Sequence, residues 1–159
     1  MLHGETGRWD AMSEALLLYA ARCDHVARLI RPALEAGRWV VCDRFSDSTL
    51  AYQGFGRGLP LDELRALHRI ALGAFAPDLT VILDLPVAEG LARAAGRAGR
   101  ADRFERLDRA FHERLREGFR EIARAEPGRC VLVDASGDAA AVHRAVRAAV
   151  VERLGVALP

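Results

Sequence analysis

Apolar residues along the chain arrive in blocks whose spacing alternates between helical and strand-like. Asp10 is positioned to cap a helix beginning at Ala11 and Met12, and Leu16, Leu17, Tyr19, Val26, Leu29 and Ile30 supply an apolar stripe. Gly37 ends this pattern after Ala36, and Pro32 inside it predicts a kink or a break between two helices. Arg38 to Cys42 is a short run with Trp39, Val40 and Val41 at its centre and reads as a first strand. A glycine-containing loop through Gly54, Gly56 and Gly58 comes next, then a helix over Leu61–Leu72 with Leu64, Leu67 and Ala71 inward. Thr80–Leu83 is a second strand, Val87–Ala95 a short helix, and Leu107–Ala125 a long amphipathic one. Cys130–Val133 is a third strand, and Ala139–Leu154 a closing helix. Short continuous apolar strands separated by helices predict an α/β fold whose parallel sheet is covered on both faces.

Composition narrows the function. A chain of 159 residues with 51% hydrophobic and 28% charged residues suits one domain with a substantial core. The net charge of +1 argues against a general nucleic-acid binder. No apolar run reaches the roughly 20 residues of a membrane helix, so no membrane partner is expected. The 3 cysteines (Cys23, Cys42, Cys130) are scattered without metal-ligand spacing and read as reduced, mostly buried thiols of a cytoplasmic protein. The 5 histidines show no ligand spacing and read as surface or helix-packing residues. All 23 basic residues are arginine, so a G-x-x-x-x-G-K-[ST] loop cannot be written with these residues.

Candidate chemistry concentrates in Asp43-Arg44-Phe45-Ser46-Asp47-Ser48-Thr49-Leu50-Ala51-Tyr52-Gln53-Gly54-Phe55-Gly56-Arg57-Gly58. An acid and an arginine at the carboxyl edge of a strand occupy the place where open α/β sheets bind ligands. The carboxylate suits a cation, and the guanidinium can fork onto phosphate oxygens. Asp84 and Asp134 also close strands, but strand ends tolerate acids, and neither is followed by such a loop. Arg57 suits either a phosphate or a nearby carboxylate, and the glycines allow tight backbone turns.

This run resembles the signature of the thymidylate kinase family, which phosphorylates dTMP with ATP. The resemblance extends from Leu2-His3-Gly4 to about Leu154. It implies that Asp43 helps hold Mg²⁺ in catalysis and that Arg44 binds the dTMP phosphate. Thr49, Tyr52 and Gln53 match positions lining the pocket for base and sugar, with Tyr52 near C2′ and Ser48 a weaker candidate. Leu18 and Arg22 lie four apart on one helical face. They match the family's ring that stacks on thymine and its arginine that donates to a thymine carbonyl. The stacking position is Leu18 here, with Tyr19 beside it. Residues 93–106 resemble the family's lid, with Arg97, Arg100 and Arg103 as candidate catalytic arginines that close over ATP. Asp134-Ala135-Ser136-Gly137 matches the turn that passes adenine, and a homodimer through helix faces is implied.

The family fold opens with a strand, a phosphate-binding loop, a helix and a second strand. The resemblance aligns this chain with the remainder of that fold, beyond those four elements. The expectation is therefore a single thymidylate-kinase-like domain, a P-loop-kinase-like parallel sheet flanked by helices without its first strand, P-loop and second strand. Two alternatives fit the same residues: a non-catalytic form that binds a nucleoside monophosphate, and a related nucleotide kinase with another base preference.

Overall fold

The computed structural model describes residues 8–96 and 107–158, which fall into two compact units, one of residues 8–76 and one of the described residues from 77 to 158. The first unit is helical. Helix α1 (Ala11–His25) begins where Asp10 accepts hydrogen bonds from the Met12 and Ser13 amides at 3.0 and 2.9 Å, satisfying two orphan donors of its first turn. It runs without a break into a π-helical stretch, Val26–Ile30, and then into α2 (Arg31–Glu35). Pro32 is thus accommodated by widening the preceding turns rather than by separating two helices. After α2 the Arg38 amide bonds the Ala33 carbonyl at 3.0 Å and the Gly37 amide bonds Leu34 at 2.9 Å, with Gly37 at φ 69°. This six-to-one, five-to-two pair is the glycine-terminated helix end that the sequence predicts.

The apolar stripe of α1 and its extension divides. Tyr19, Val26 and Ile30 enter a core with Phe45 and Leu72, whereas Leu16, Leu17 and Leu29 are exposed. Val40, Leu67, Ala71 and Phe75 pack against this core. Helix α4 (Leu61–Leu72) matches its predicted limits, with Leu64 fully buried.

Two expectations in this unit are corrected. Arg38–Cys42 is not a strand: the segment belongs to no ladder, and Val41 is 96% exposed. A strand requires a hydrogen-bonded neighbour, and none of the described residues of this helical unit offers one. The Asp43 motif is not an open loop either. Ser46–Thr49 forms a helical turn, α3, which continues as a π-helical stretch over Leu50–Gly56. Gly54 therefore serves close packing rather than a turn, since a Cβ there would lie 2.5 Å from Leu61 Cδ2 on α4. Only Gly58, at φ 81°, makes the tight bend.

The second unit holds a parallel pair, β1 (Thr80–Asp84) and β2 (Cys130–Asp134), in register from Thr80↔Cys130 to Asp84↔Asp134. Helices α5 (Val87–Ala95), α6 (Arg109–Ala125) and α7 (Ala139–Leu154) flank it. Ile82 and Val133 from the strands and Phe111, Leu115 and Ile122 from α6 are buried. The long helix begins at Arg109 rather than Leu107, because Asp108 takes the cap position and accepts from the Phe111 amide at 2.7 Å.

Candidate functional site

Helix α1 presents Arg22 toward the start of α3. Its guanidinium donates to Thr49 Oγ1 at 2.7 Å and to the Phe45 carbonyl at 2.9 Å, and lies 5.3 Å from the Tyr19 ring centre. Both acceptors are neutral. Burial lowers the Arg22 pKa, with the charges of Tyr19, Cys42 and Asp47 opposing the shift. A cation so placed, without an ion pair among the described residues, holds donor capacity suited to a carbonyl-bearing ligand.

Arg44 sits at φ 69°, in the left-handed region that costs a side chain about 1–2 kcal/mol. Its guanidinium carbon lies 4.9 Å from the centre of the Tyr52 ring. Such strain clusters where a side chain must be aimed. The local fold thus groups Arg22 with Thr49 and Arg44 with Tyr52, four of the expected binding residues. Leu18, one turn before Arg22, is half-buried. Tyr19 is a core residue, 2% exposed and edge-on to His68, so it offers no free stacking face. His112 likewise packs edge-on, against Phe111.

Gln53 is held from α1. Its Nε2 donates to Glu14 Oε1 at 3.0 Å, and its Oε1 is buried without a hydrogen-bond partner among the described residues. Arg57 resolves in favour of a carboxylate: it donates to Glu14 Oε2 at 2.6 Å and to the Trp9 carbonyl at 3.1 Å. Glu14 and Asp47, both buried, are missing from the residues singled out in the sequence. The signal for Glu14 is one acid inside the apolar beginning of α1; Asp47 gives none.

Asp43 is exposed, next to the exposed Cys42; Cys23 is half-buried and Cys130 buried, which corrects the reading of the three thiols as mostly buried. Among the described residues no group of three or more His, Cys, Asp or Glu could hold a metal ion unaided. Mg²⁺ binds through one or two carboxylates completed by phosphate and water, so Asp43 suits it as a single ligand. Arg97, Arg100 and Arg103 lie outside the described residues.

In the second unit the strand-end acids are hydrogen-bonded by their neighbours. Arg116 donates to Asp84 at 2.8 and 3.0 Å and Arg120 at 2.7 Å. Hydrogen bonding from Arg116 leads the causes that hold the Asp84 carboxyl well below the usual carboxylate range, against burial. Asp134 accepts from the Ser136 amide at 2.9 Å, which lowers its pKa and fixes the turn after β2. Arg93 on α5 donates to the Ala135 and Ser136 carbonyls, both at 2.9 Å, and clasps the same turn.

A sequence profile described as thymidylate kinase matches residues 1–146. The chain belongs to the thymidylate kinase family. It is 52% identical to the thymidylate kinase of Caulobacter vibrioides, over 98% of this chain and 74% of that protein. It is 50% identical to the thymidylate kinase of Rhizorhabdus wittichii, over 100% of this chain and 75% of that protein. The crystal structure of thymidylate kinase from Ehrlichia chaffeensis superposes with a TM-score of 0.68 at 31% identity. That match covers 90% of this chain and 66% of the crystallised one. Membership fixes the fold class as the α/β, P-loop-kinase-like one, and the parallel pair with flanking helices is a part of it. It also makes this a member of a nucleoside monophosphate kinase family whose phosphate donor is ATP. No helix among the described residues is long and apolar enough to cross a membrane.

Proposed function

We propose that this chain provides the monophosphate site of a thymidylate kinase that converts dTMP to dTDP with ATP in dTTP synthesis. The observation that carries this reading is the joint placement of Arg22 on Thr49 and Arg44 on Tyr52 within one unit. Arg44 binds the phosphate of dTMP, its aim fixed by the left-handed backbone and the Tyr52 face. Arg22 donates to a thymine carbonyl, and Thr49 faces the base beside it. Gln53 Oε1, an acceptor with no partner, is suited to the imide N–H of thymine. Tyr52 crowds C2′, and Leu18 supplies an apolar platform for the base in place of a stacked ring.

Asp43 would hold Mg²⁺ together with phosphate oxygens and water. When bound, that ion neutralises charge on the phosphates. The arginines of the lid, Arg97, Arg100 and Arg103, stabilise charge on the transferred phosphoryl group. Positioning and electrostatics dominate this chemistry, so no strong base is needed. The protein acts in the cytoplasm as a homodimer, for which the exposed Leu16, Leu17 and Leu29 provide helix-face area.

Calorimetric titration of the chain with dTMP tests the reading. Saturable binding of dTMP that weakens at least tenfold for dCMP is expected. Absence of dTMP binding, or equal binding of both nucleotides, overturns it.

A further inference from the structure

Glu14 has no part in the dTMP site as assigned. It is 0% exposed, on α1, yet both carboxylate oxygens are engaged by the segment that carries Thr49 and Tyr52. Oε1 takes the Gln53 amide at 3.0 Å, and Oε2 takes Arg57 at 2.6 Å. A carboxylate in an ion pair can only accept hydrogen bonds, so the Gln53 amide has one permitted orientation: NH₂ toward Glu14, oxygen away. That oxygen is the buried atom without a partner. An unsatisfied buried acceptor costs about 1–3 kcal/mol and is retained where something supplies the missing donor.

We propose that Glu14 is a specificity-determining positioning residue: it locks the Gln53 amide so that an acceptor, not a donor, meets the base edge of the nucleotide. This rests on the dTMP-site reading. A base with an N–H at that edge, thymine or uracil, satisfies Oε1; a base with a bare ring nitrogen there, cytosine, leaves two acceptors facing each other. Glu14 touches no substrate itself. It acts through the orientation of Gln53, and Arg57 keeps its charge in place.

The substitution Glu14→Gln makes the logic testable, because an amide has only one oxygen. Arg57, the charged donor, takes that oxygen as the stronger partner. The new NH₂ then faces Gln53, which must turn over and offer its own NH₂ to the base. The double exchange Glu14→Gln with Gln53→Glu restores a donor–acceptor pair and again leaves an acceptor at the base edge.

The experiment is calorimetric titration of the whole chain with dTMP and dCMP, with folding followed by circular dichroism and thermal melting. In Glu14→Gln the ratio Kd(dCMP)/Kd(dTMP) is expected to fall roughly tenfold. In the double exchange it returns to within about threefold of the unmodified chain. A Glu14→Gln chain that melts lower but keeps the ratio assigns Glu14 to stability alone and overturns the proposal. So does a double exchange that fails to recover the ratio while folded. Should Glu14→Gln not fold, the double exchange alone decides: folded with the ratio preserved supports the proposal, and folded with the ratio collapsed overturns it. Failure of the unmodified chain to bind dTMP is a separate result, which sinks the dTMP-site reading instead.

Discussion

The Arg44 guanidinium carbon lies 4.9 Å from the centre of the Tyr52 ring, and the backbone at Arg44 is left-handed to put it there. Planarity, charge and backbone strain are therefore separable by substitution. Arg44→Ala is expected to weaken dTMP binding by about ten- to a hundredfold, the loss of a charge-assisted hydrogen bond. Arg44→Gly should bind as weakly but be more stable than Arg44→Ala by about 1 kcal/mol, since glycine accepts the positive φ. Arg44→Lys keeps the charge and loses the flat contact, which places its affinity between those of the parent chain and Arg44→Ala. Titrations with dTMP and urea melts of the variants check each value.

Thr49 gives a buried cation its hydroxyl partner, at 2.7 Å. Thr49→Val keeps the shape and leaves an Arg22 N–H unsatisfied, so a destabilisation of about 1–3 kcal/mol is expected in urea. Thr49→Ser preserves the hydroxyl and should cost distinctly less. Equal losses for Val and Ser would show that the methyl packing, not the hydrogen bond, is what matters there.

Gly54 lies close against α4, with Leu61 Cδ2 at 2.5 Å and Leu64 Cδ1 at 3.3 Å from a would-be Cβ, so a side chain there forces these leucines to shift. Gly54→Ala should cost about 1–3 kcal/mol by overpacking. Gly128, which has nothing within 4 Å of a would-be Cβ, is the control, and Gly128→Ala should be close to neutral. Equilibrium unfolding distinguishes the two outcomes directly.

Asp84 contributes a pH dependence that substitution can isolate. Its folded-state pKa lies below its unfolded value of about 3.9, so its stabilising contribution is complete above that pH and is lost as pH falls through the folded pKa. Asp84→Asn removes the contribution at every pH. The stability difference between the parent chain and Asp84→Asn is expected to be constant from neutral pH to about 5 and to shrink in more acidic solution. A difference that grows on acidification would contradict the Arg116 and Arg120 pairing.

Much of the helical framework was legible because its signals are local. Asp10 and Gly37 mark helix ends by capping chemistry, and Leu61–Leu72, Val87–Ala95 and Ala139–Leu154 fall at their predicted limits. Arg38–Cys42 misled because an apolar run reports a tendency to be extended, whereas a strand needs a neighbour that sequence period does not reveal. The Asp43 motif misled for the opposite reason: its glycines suggested turns, yet Gly54 has no positive φ and instead packs closely against a leucine of α4. The resemblance singled out Arg22, Thr49, Arg44 and Tyr52, and the packing pairs Arg22 with Thr49 and Arg44 with Tyr52. Glu14 was not singled out, because its partners lie 39 and 43 residues away and only the packed helices bring them to it.

The segment Arg38–Cys42, which belongs to no strand ladder, also gives the molecule an optical handle. Trp39 is one of only 2 tryptophans and is 63% exposed. Its indole should emit near the red limit of tryptophan fluorescence and be readily quenched by iodide. Anything that pairs with this stretch of backbone and covers the ring would shift the emission to the blue and shield it from quencher. Assembly at this segment can thus be followed in dilute solution without attaching a dye.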